Sequence, residues 1–203
     1  MEQSTGVPYY SQWQNPDLTE SIIAGADPCD DPLWPQSGFE NAADYRYWSV
    51  RLCGIACLRS ILGSRNASVP TQYELLVDAL AWGVYKKRED GTVLGMIYQP
   101  FCEWVRARFG LQALFFEHQP LTDALEIRDT NHFLIMSVSP DIREPQLSNP
   151  PKGGHLVLVT SHGKEELRFH NPSGIPPEHS DVRLRQNTFE KFYAGRGILI
   201  KDD

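Results

Sequence analysis

Five short segments rich in branched and aromatic residues occupy the second half of the 203-residue chain and restrict its fold more than any other feature. Turn residues separate them, a spacing typical of strands in a largely antiparallel sheet. The segments are LQALFFE (111–117), HFLIMSVS (132–139), HLVLVTS (155–161), LRFHN (167–171) and RGILIK (196–201). Because the helical patterns come earlier in the chain, the sequence predicts an α+β fold with its helices first.

Three helices are predicted in the first half of the chain. Apolar residues over 55–62 recur at the spacing of one helix face, and Gly63 is expected to close this first helix. A Thr-x-x-Glu capping box opens the second helix, over 71–82. The third is expected to run from about 100 to 109 and to end at Gly110.

Length and charge restrict the possible classes of protein. The chain is long enough to fold as one domain over 1–203 without a cofactor or disulfide. Its net charge of −7 and pI near 5.4 argue against nucleic acid or an anionic membrane as partner, because both require a basic face. The sequence contains neither a signal peptide nor an apolar run of membrane-spanning length. We therefore expect a soluble, cytoplasmic protein of undefined oligomeric state, whose four cysteines stay as thiols.

Residues 15–50 accumulate prolines, glycines and acids without periodicity, which predicts a long irregular loop. Seven acidic residues and one arginine give this segment −6 of the chain's charge of −7. Trp34, Tyr47 and Trp48 within it suit contact with a ligand. One interpretation is that the loop walls a cleft and favours a cationic or amine-bearing substrate. The other is a solvated acidic loop that only aids solubility.

The segment RLCGIACLRSIL places Cys53 at the start of the first predicted helix and Cys57 one turn further in. Unpaired amides give a helix N terminus about half a positive charge, which favours thiolate and can bring a cysteine pKa from roughly 8.5 into the range of roughly 3.5 to 7.5. Cys53 is therefore a candidate nucleophile, whereas Cys57, beside Ile61, is expected to stay protonated. The alternative is that both thiols are core residues, because free cysteine is usually buried.

A cysteine nucleophile needs a base, a group that orients the base and a donor for the oxyanion. His155 follows Gly153 and Gly154 at the start of one predicted strand, and Asn171 ends the next. The turn between the two strands should bring both side chains to one edge of the sheet, though not necessarily to one face. Gln12, near the N terminus, has an amide that can donate to a tetrahedral intermediate. Each of these residues also has a purely structural explanation.

The ordered set VPYYSQ, CGIACLRSIL, GGHLVLV, FHNPSG and FEKFYAGRGILI resembles the bacteriocin-processing cysteine peptidase family, whose members remove double-glycine leader peptides. That family belongs to the papain-like superfamily. The resemblance implies a helical half, with the nucleophile at a helix N terminus, packed on a C-terminal antiparallel sheet. It also implies Cys53 as nucleophile, His155 as general base and acid, and Gln12 as oxyanion partner. Asn171 would orient the imidazole, where many relatives have aspartate.

The predicted function is that of a cysteine peptidase-like hydrolase that cleaves a peptide or amide bond through a thioester. An acyltransferase or amide-forming enzyme is the alternative, because water or an amine can release a thioester. A binding module without catalysis also remains possible if Cys53 is buried, whereas the histidine spacing does not favour a zinc site. No metal or cofactor is expected. The candidate substrate-binding residues are Trp13, Trp34, Tyr47, Trp48 and Gly154.

Overall fold

The structure, a computed structural model, describes residues 6–65, 68–127 and 132–201. In this part of the chain the α-helices are α1 (Thr19–Ile23), α2 (Ala42–Ser49), α3 (Cys53–Ser64), α4 (Gln72–Ala81), α5 (Tyr98–Phe109), α6 (Leu121–Glu126) and α7 (Gln186–Glu190). The strands are β1 (Lys86–Lys87), β2 (Val93–Leu94), β3 (Gln112–Phe116), β4 (His132–Val138), β5 (His155–His162), β6 (Glu166–His170), β7 (Val182–Arg185) and β8 (Tyr193–Lys201). Both ends of the predicted domain, 1–203, lie outside the described residues, so its extent stays a prediction.

Six strands form one antiparallel sheet in the order β3-β8-β4-β5-β6-β7, while β1 and β2 make a separate hairpin. The predicted α+β class is confirmed, and all five predicted strand segments are strands of this sheet. None of the helices among the described residues combines the length and apolar character needed to cross a membrane.

The sheet is buried on both faces in its central strands. Leu156 and Leu158 of β5 belong to the core shared with α3, α4 and α5, whereas Val157 and Val159 belong to the core shared with α6 and α7. Side chains alternate between the two faces of a strand, so burial on both sides requires a continuous apolar run. The run HLVLVTS therefore belongs to a central strand.

The three predicted helices are confirmed, with one correction at a boundary. Thr71 and Glu74 make both hydrogen bonds of the capping box that opens α4, and Gly110 ends α5 in the left-handed conformation. Gly63 does not end α3, which continues through it to Ser64. A Cβ at Gly63 would lie 2.6 Å from Pro8 Cγ, so the glycine permits close approach of the N-terminal segment rather than a helix stop.

Residues 15–50 are not the irregular loop that the sequence predicts. They contain α1, α2 and 3₁₀ turns at Pro16–Leu18, Pro28–Asp30 and Trp34–Ser37. The carboxylate of Asp31, which is fully buried, accepts hydrogen bonds of 2.8 Å from the N–H groups of Asn15 and Leu33. The carboxylate of Asp27 accepts from the N–H of Cys29 and forms a 2.5 Å ion pair with Arg46. Acids and prolines thus order short turns, which leave no apolar periodicity to detect.

Candidate active site

A cavity of about 420 Å³ opens where the N terminus of α3 meets the start of β5. Gln12, Cys53 and His155 all line it. Asn171, the fourth predicted catalytic residue, is buried and contacts the ring of His155. The structure thus brings together four residues that are up to 159 positions apart in the sequence.

Cys53 is the first residue of α3, and its side chain is half-buried. The capping position, Leu52, offers no side-chain hydrogen bond to the helix, so the first-turn N–H groups have no side-chain cap. Gly54 allows β5 and a neighbouring loop to approach, because a Cβ there would lie 3.0 Å from Leu156 Cδ1 and 2.8 Å from Met96 Sδ. The thiol therefore lies at an open helix N terminus beside the start of β5.

The pKa of Cys53 does not follow the direction that its helix position predicts. Burial raises it to about 11, and the neighbouring backbone of Leu156 and Gly54 only partly counteracts this effect. Desolvation opposes the charged form of any thiol, and here it outweighs the helix N terminus. Burial also raises the pKa of Cys57 well above its usual value, as expected for a core thiol. In the free protein Cys53 is thus a neutral thiol at pH 7.

His155 is held by two side chains of the turn that follows β6. Its Nε2 lies 2.8 Å from Asn171 Oδ1 and 3.2 Å from Ser173 Oγ. The Ser173 N–H also donates to Asn171 Oδ1 at 3.1 Å, and a backbone N–H can only donate. The Asn171 atom that faces both groups is therefore its oxygen, and Nε2 of His155 carries the proton. This tautomer leaves Nδ1 as the basic nitrogen of His155.

Burial lowers the pKa of His155 to about 4. The hydrogen bond to Asn171 acts in the opposite direction, whereas the nearby charge of Arg143 lowers the pKa further. Together with the raised pKa of Cys53, this favours a neutral His155 imidazole and a neutral Cys53 thiol over a broad pH range.

Gln12 is fixed by contacts between the N-terminal segment and the turn after β6. Its N–H donates to Pro172 O at 2.9 Å, and the Ser11 hydroxyl donates to the same carbonyl at 3.1 Å. In the same segment, the Tyr9 hydroxyl donates to Asn171 O at 3.0 Å. The segment that carries the predicted oxyanion donor is thus attached to the segment that orients His155.

The predicted substrate-binding residues divide into two groups. Trp13 and Gly154 line the cavity, and the indole Nε1 of Trp13 is buried without a hydrogen-bond partner among the described residues. Trp34, Tyr47 and Trp48 do not belong to the cavity lining. Trp34 instead stacks on Tyr45, Trp48 packs edge-on against Tyr85, and the Tyr47 hydroxyl donates to Gly91 O at 2.6 Å.

Segment 15–50 contributes to the cavity, but not with the charge that the sequence predicts. Its contributions are the apolar side chains of Ile22, Ile23 and Val50. No aspartate or glutamate is among the lining residues in the part of the chain that the structure describes. The acidic side chains of the segment therefore lie outside the cavity wall, and selection of a cationic substrate by this segment stays a prediction.

Two further residues of the site carry no clear sequence signal. Ser173 contacts His155, and its hydroxyl accepts a 2.6 Å hydrogen bond from Arg143. Arg143 lies in the 3₁₀ turn Pro140–Arg143 between β4 and β5 and lines the cavity. The Asn-Pro-Ser turn sequence was the only available indication for Ser173.

The described residues contain no group of three or more His, Cys, Asp or Glu side chains placed to hold a metal ion. His155 and His162, the two histidines of β5, lie at its opposite ends.

The pKa values predict how Cys53 reacts with iodoacetamide. We expect its rate of alkylation in the free protein to rise about tenfold per pH unit between pH 7 and pH 10, because only the thiolate reacts. Peptide mass spectrometry after timed labelling measures this rate, with half-buried Cys29 as internal reference. A rate for Cys53 that stays constant from pH 5 to pH 8 would show a preformed thiolate instead.

No family model and no curated protein matches the chain. Among solved structures, a C39-like peptidase from Bacillus anthracis is similar, with 12% sequence identity, a TM-score of 0.53 and coverage of 75% of this chain and 90% of that one. A double glycine motif protease from an AMS/PCAT transporter, solved in complex with its leader peptide, shares 19% identity with a TM-score of 0.50, over 74% of this chain and 84% of that one. The chain thus has the papain-like α+β fold of these peptidase domains.

Proposed function

We propose that the protein is a cysteine peptidase or amide hydrolase in which Cys53 forms a thioester with its substrate. The observation that carries this proposal is the orientation of His155: Asn171 holds Nε2 at 2.8 Å, which leaves Nδ1 basic in a cavity that Cys53 and Gln12 also line. The fold shared with peptidase domains supports it.

The first half-reaction starts from neutral groups. His155 Nδ1 removes the thiol proton while Cys53 Sγ bonds to the substrate carbonyl carbon, whose oxygen becomes an oxyanion. The Gln12 amide and the uncapped N–H groups at the start of α3 donate hydrogen bonds to this oxygen. When the carbon–nitrogen bond breaks, the imidazolium gives its proton to the leaving amine, and a thioester remains on Cys53.

In the second half-reaction His155 activates the acceptor. If the acceptor is water, His155 takes one proton from it, the thioester carbon–sulfur bond breaks and the thiol is restored with release of a carboxylic acid. An amine in place of water would give transfer instead of hydrolysis. Hydrolysis is the proposed outcome because the cavity opens to solvent and the similar structures are peptidases.

The substrate class follows from the same comparison. The double glycine motif protease was solved with a leader peptide, so we propose a peptide or small amide as substrate. The proposed chemistry requires a reduced thiol at Cys53, and we therefore place the protein in the cytoplasm, where thiols stay reduced.

A trapped thioester tests the proposal. The protein is incubated with a synthetic peptide library, quenched in acid and analysed by intact mass spectrometry. We expect an acyl adduct that hydroxylamine removes and that peptide mapping places on Cys53. Added primary amines measure transfer in competition with hydrolysis. The Cys53→Ala variant is the control and should neither form the adduct nor consume peptide, and consumption of peptide by this variant would overturn the proposal.

A further inference from the structure

Arginines provide the charged side chains of the cavity. Of the residues that the structure describes, Arg51, Arg143 and Arg196 line it, and no carboxylate does. They come from three separate parts of the chain: the residues before α3, the turn after β4, and β8. Three arginines in a cavity without a described carboxylate are unexpected in a chain whose net charge is −7, because acidic side chains outnumber basic ones in the chain.

Elsewhere in the molecule, three arginines are paired with aspartates. Arg46 pairs with Asp27 at 2.5 Å, Arg108 with Asp78 at 2.7 Å and Arg168 with Asp181 at 3.1 Å. These ion pairs are all outside the cavity.

The three cavity arginines have no ion-pair partner among the described residues. Arg143 donates to Ser173 Oγ at 2.6 Å and to Ser173 O at 3.3 Å, and Arg51 donates to Tyr47 O with its guanidinium 4.4 Å from the centre of the Tyr47 ring. Asp141 and Glu144 influence Arg143 electrostatically, but neither lines the cavity.

Arginines that line a concave site and have no ion-pair partner among the described residues favour an anionic ligand. Arginine presents a planar set of N–H donors that matches a carboxylate, and a cleft with charges of one sign raises the local concentration of the opposite charge. Cys53 and His155 line the same cavity, so an anion held there would lie next to the reacting bond.

We propose that the substrate carries a carboxylate close to the bond that Cys53 attacks, and that Arg51, Arg143 and Arg196 select it. The attack of Cys53 on a bond in this inference rests on the proposed function. The affinity of the cavity for a carboxylate does not depend on that function. The carboxylate can be the C-terminal group of a peptide or an acidic side chain. Both sources present the same group to the arginines.

Selective alkylation tests the charge of the cavity without turnover. Iodoacetate and iodoacetamide both alkylate Cys53 with loss of iodide, but only iodoacetate carries a carboxylate. At low salt, the ratio of the iodoacetate rate to the iodoacetamide rate should fall at least about threefold in Arg51→Gln and in Arg196→Gln, and about tenfold in the double variant. Arg185→Gln, which makes the same charge change in β7 away from the cavity, should keep the wild-type ratio. An unchanged ratio in the double variant, or an equal fall in Arg185→Gln, would overturn the proposal.

Peptide binding distinguishes the two sources of the carboxylate. Calorimetry with the Cys53→Ala protein compares three hexapeptides: one with a free C terminus, one amidated, and one amidated with a central glutamate. We expect at least one acidic form to bind about tenfold more tightly than the neutral peptide, and the tighter form identifies the source. Equal affinities, or binding of none, would overturn the proposal. If the alkylation ratios fall as expected but no acyl adduct ever forms, the proposed function fails while the carboxylate site stands.

Discussion

Replacement of Cys53 by alanine is expected to abolish turnover, and His155→Ala is expected to lower kcat by at least about 10⁴-fold. Both losses follow from the proposed reaction, in which Cys53 supplies the bond to the substrate carbon and His155 Nδ1 moves every proton. Steady-state kinetics on the substrate found by mass spectrometry measures both effects, with circular dichroism to verify folding. Cys29→Ala and His162→Ala are matched controls, since neither residue lines the cavity, and both should keep wild-type kcat.

Gln12 and Asn171 should give smaller and distinguishable losses. Gln12→Ala removes an oxyanion donor and should lower kcat by about 100-fold with little change in KM. Asn171→Ala frees the His155 ring and should fall between the effects of Gln12→Ala and His155→Ala. Wild-type kcat in His155→Ala would refute the assignment of the base, whatever the other variants show.

The second large effect concerns stability in acid. The pKa of His155 is about 4 in the folded protein and about 6.5 in an unfolded chain. Because the unfolded state binds the proton more tightly, the contribution of His155 to stability is fully present above pH 6.5 and is lost as the pH falls toward 4. The loss amounts to about 3 kcal/mol, from about 1.4 kcal/mol per pKa unit. Urea unfolding of the wild-type protein at pH 7 and pH 4 measures the total change in the free energy of unfolding, to which His155 and all other titrating groups contribute.

The His155→Gln variant isolates the contribution of this residue. Glutamine does not titrate, so the free energy of unfolding of the variant should fall by about 3 kcal/mol less than that of the wild type between pH 7 and pH 4. If the two proteins lose the same amount of stability over this range, His155 is not held neutral by burial.

The sequence predicts the sheet and the longer helices because their burial leaves a periodic pattern. The segment HLVLVTS is apolar on both faces because two cores cover β5, and the Thr71–Glu74 capping box appears unchanged in the structure. The sequence did not predict strand β7, although Val182 and Leu184 alternate with arginines, because a strand of two half-buried and two exposed residues gives a weak signal. In 15–50 the order comes from capping acids and short turns, which leave no periodic pattern.

The proximity of the candidate site residues was predictable, whereas their electrostatics were not. Cys53, His155, Asn171 and Gln12 each stand beside a recognisable motif, and the structure gathers them around one cavity. The direction of the Cys53 pKa depends on how much of the protein covers the thiol, and the sequence does not contain this quantity. The charge of the cavity depends on three arginines that are far apart in the sequence. The excess of acidic residues in 15–50 instead predicted a negative cavity.

Hydrogen bonds attach the N-terminal segment to the end of β6 and the turn after it. The position of Gln12 therefore depends on the position of Asn171. Val7 O accepts a 2.9 Å hydrogen bond from His170 Nε2, and the Tyr9 and Gln12 contacts follow along the same line. The proposed oxyanion donor, Gln12, and the residue that orients the imidazole, Asn171, are therefore coupled through these hydrogen bonds, so we expect their mutational effects not to add. A cut or displacement of the chain between Val7 and Gln12 would release Gln12 and the turn at Asn171 together, which makes the first residues of the described fold a structural part of the proposed active site.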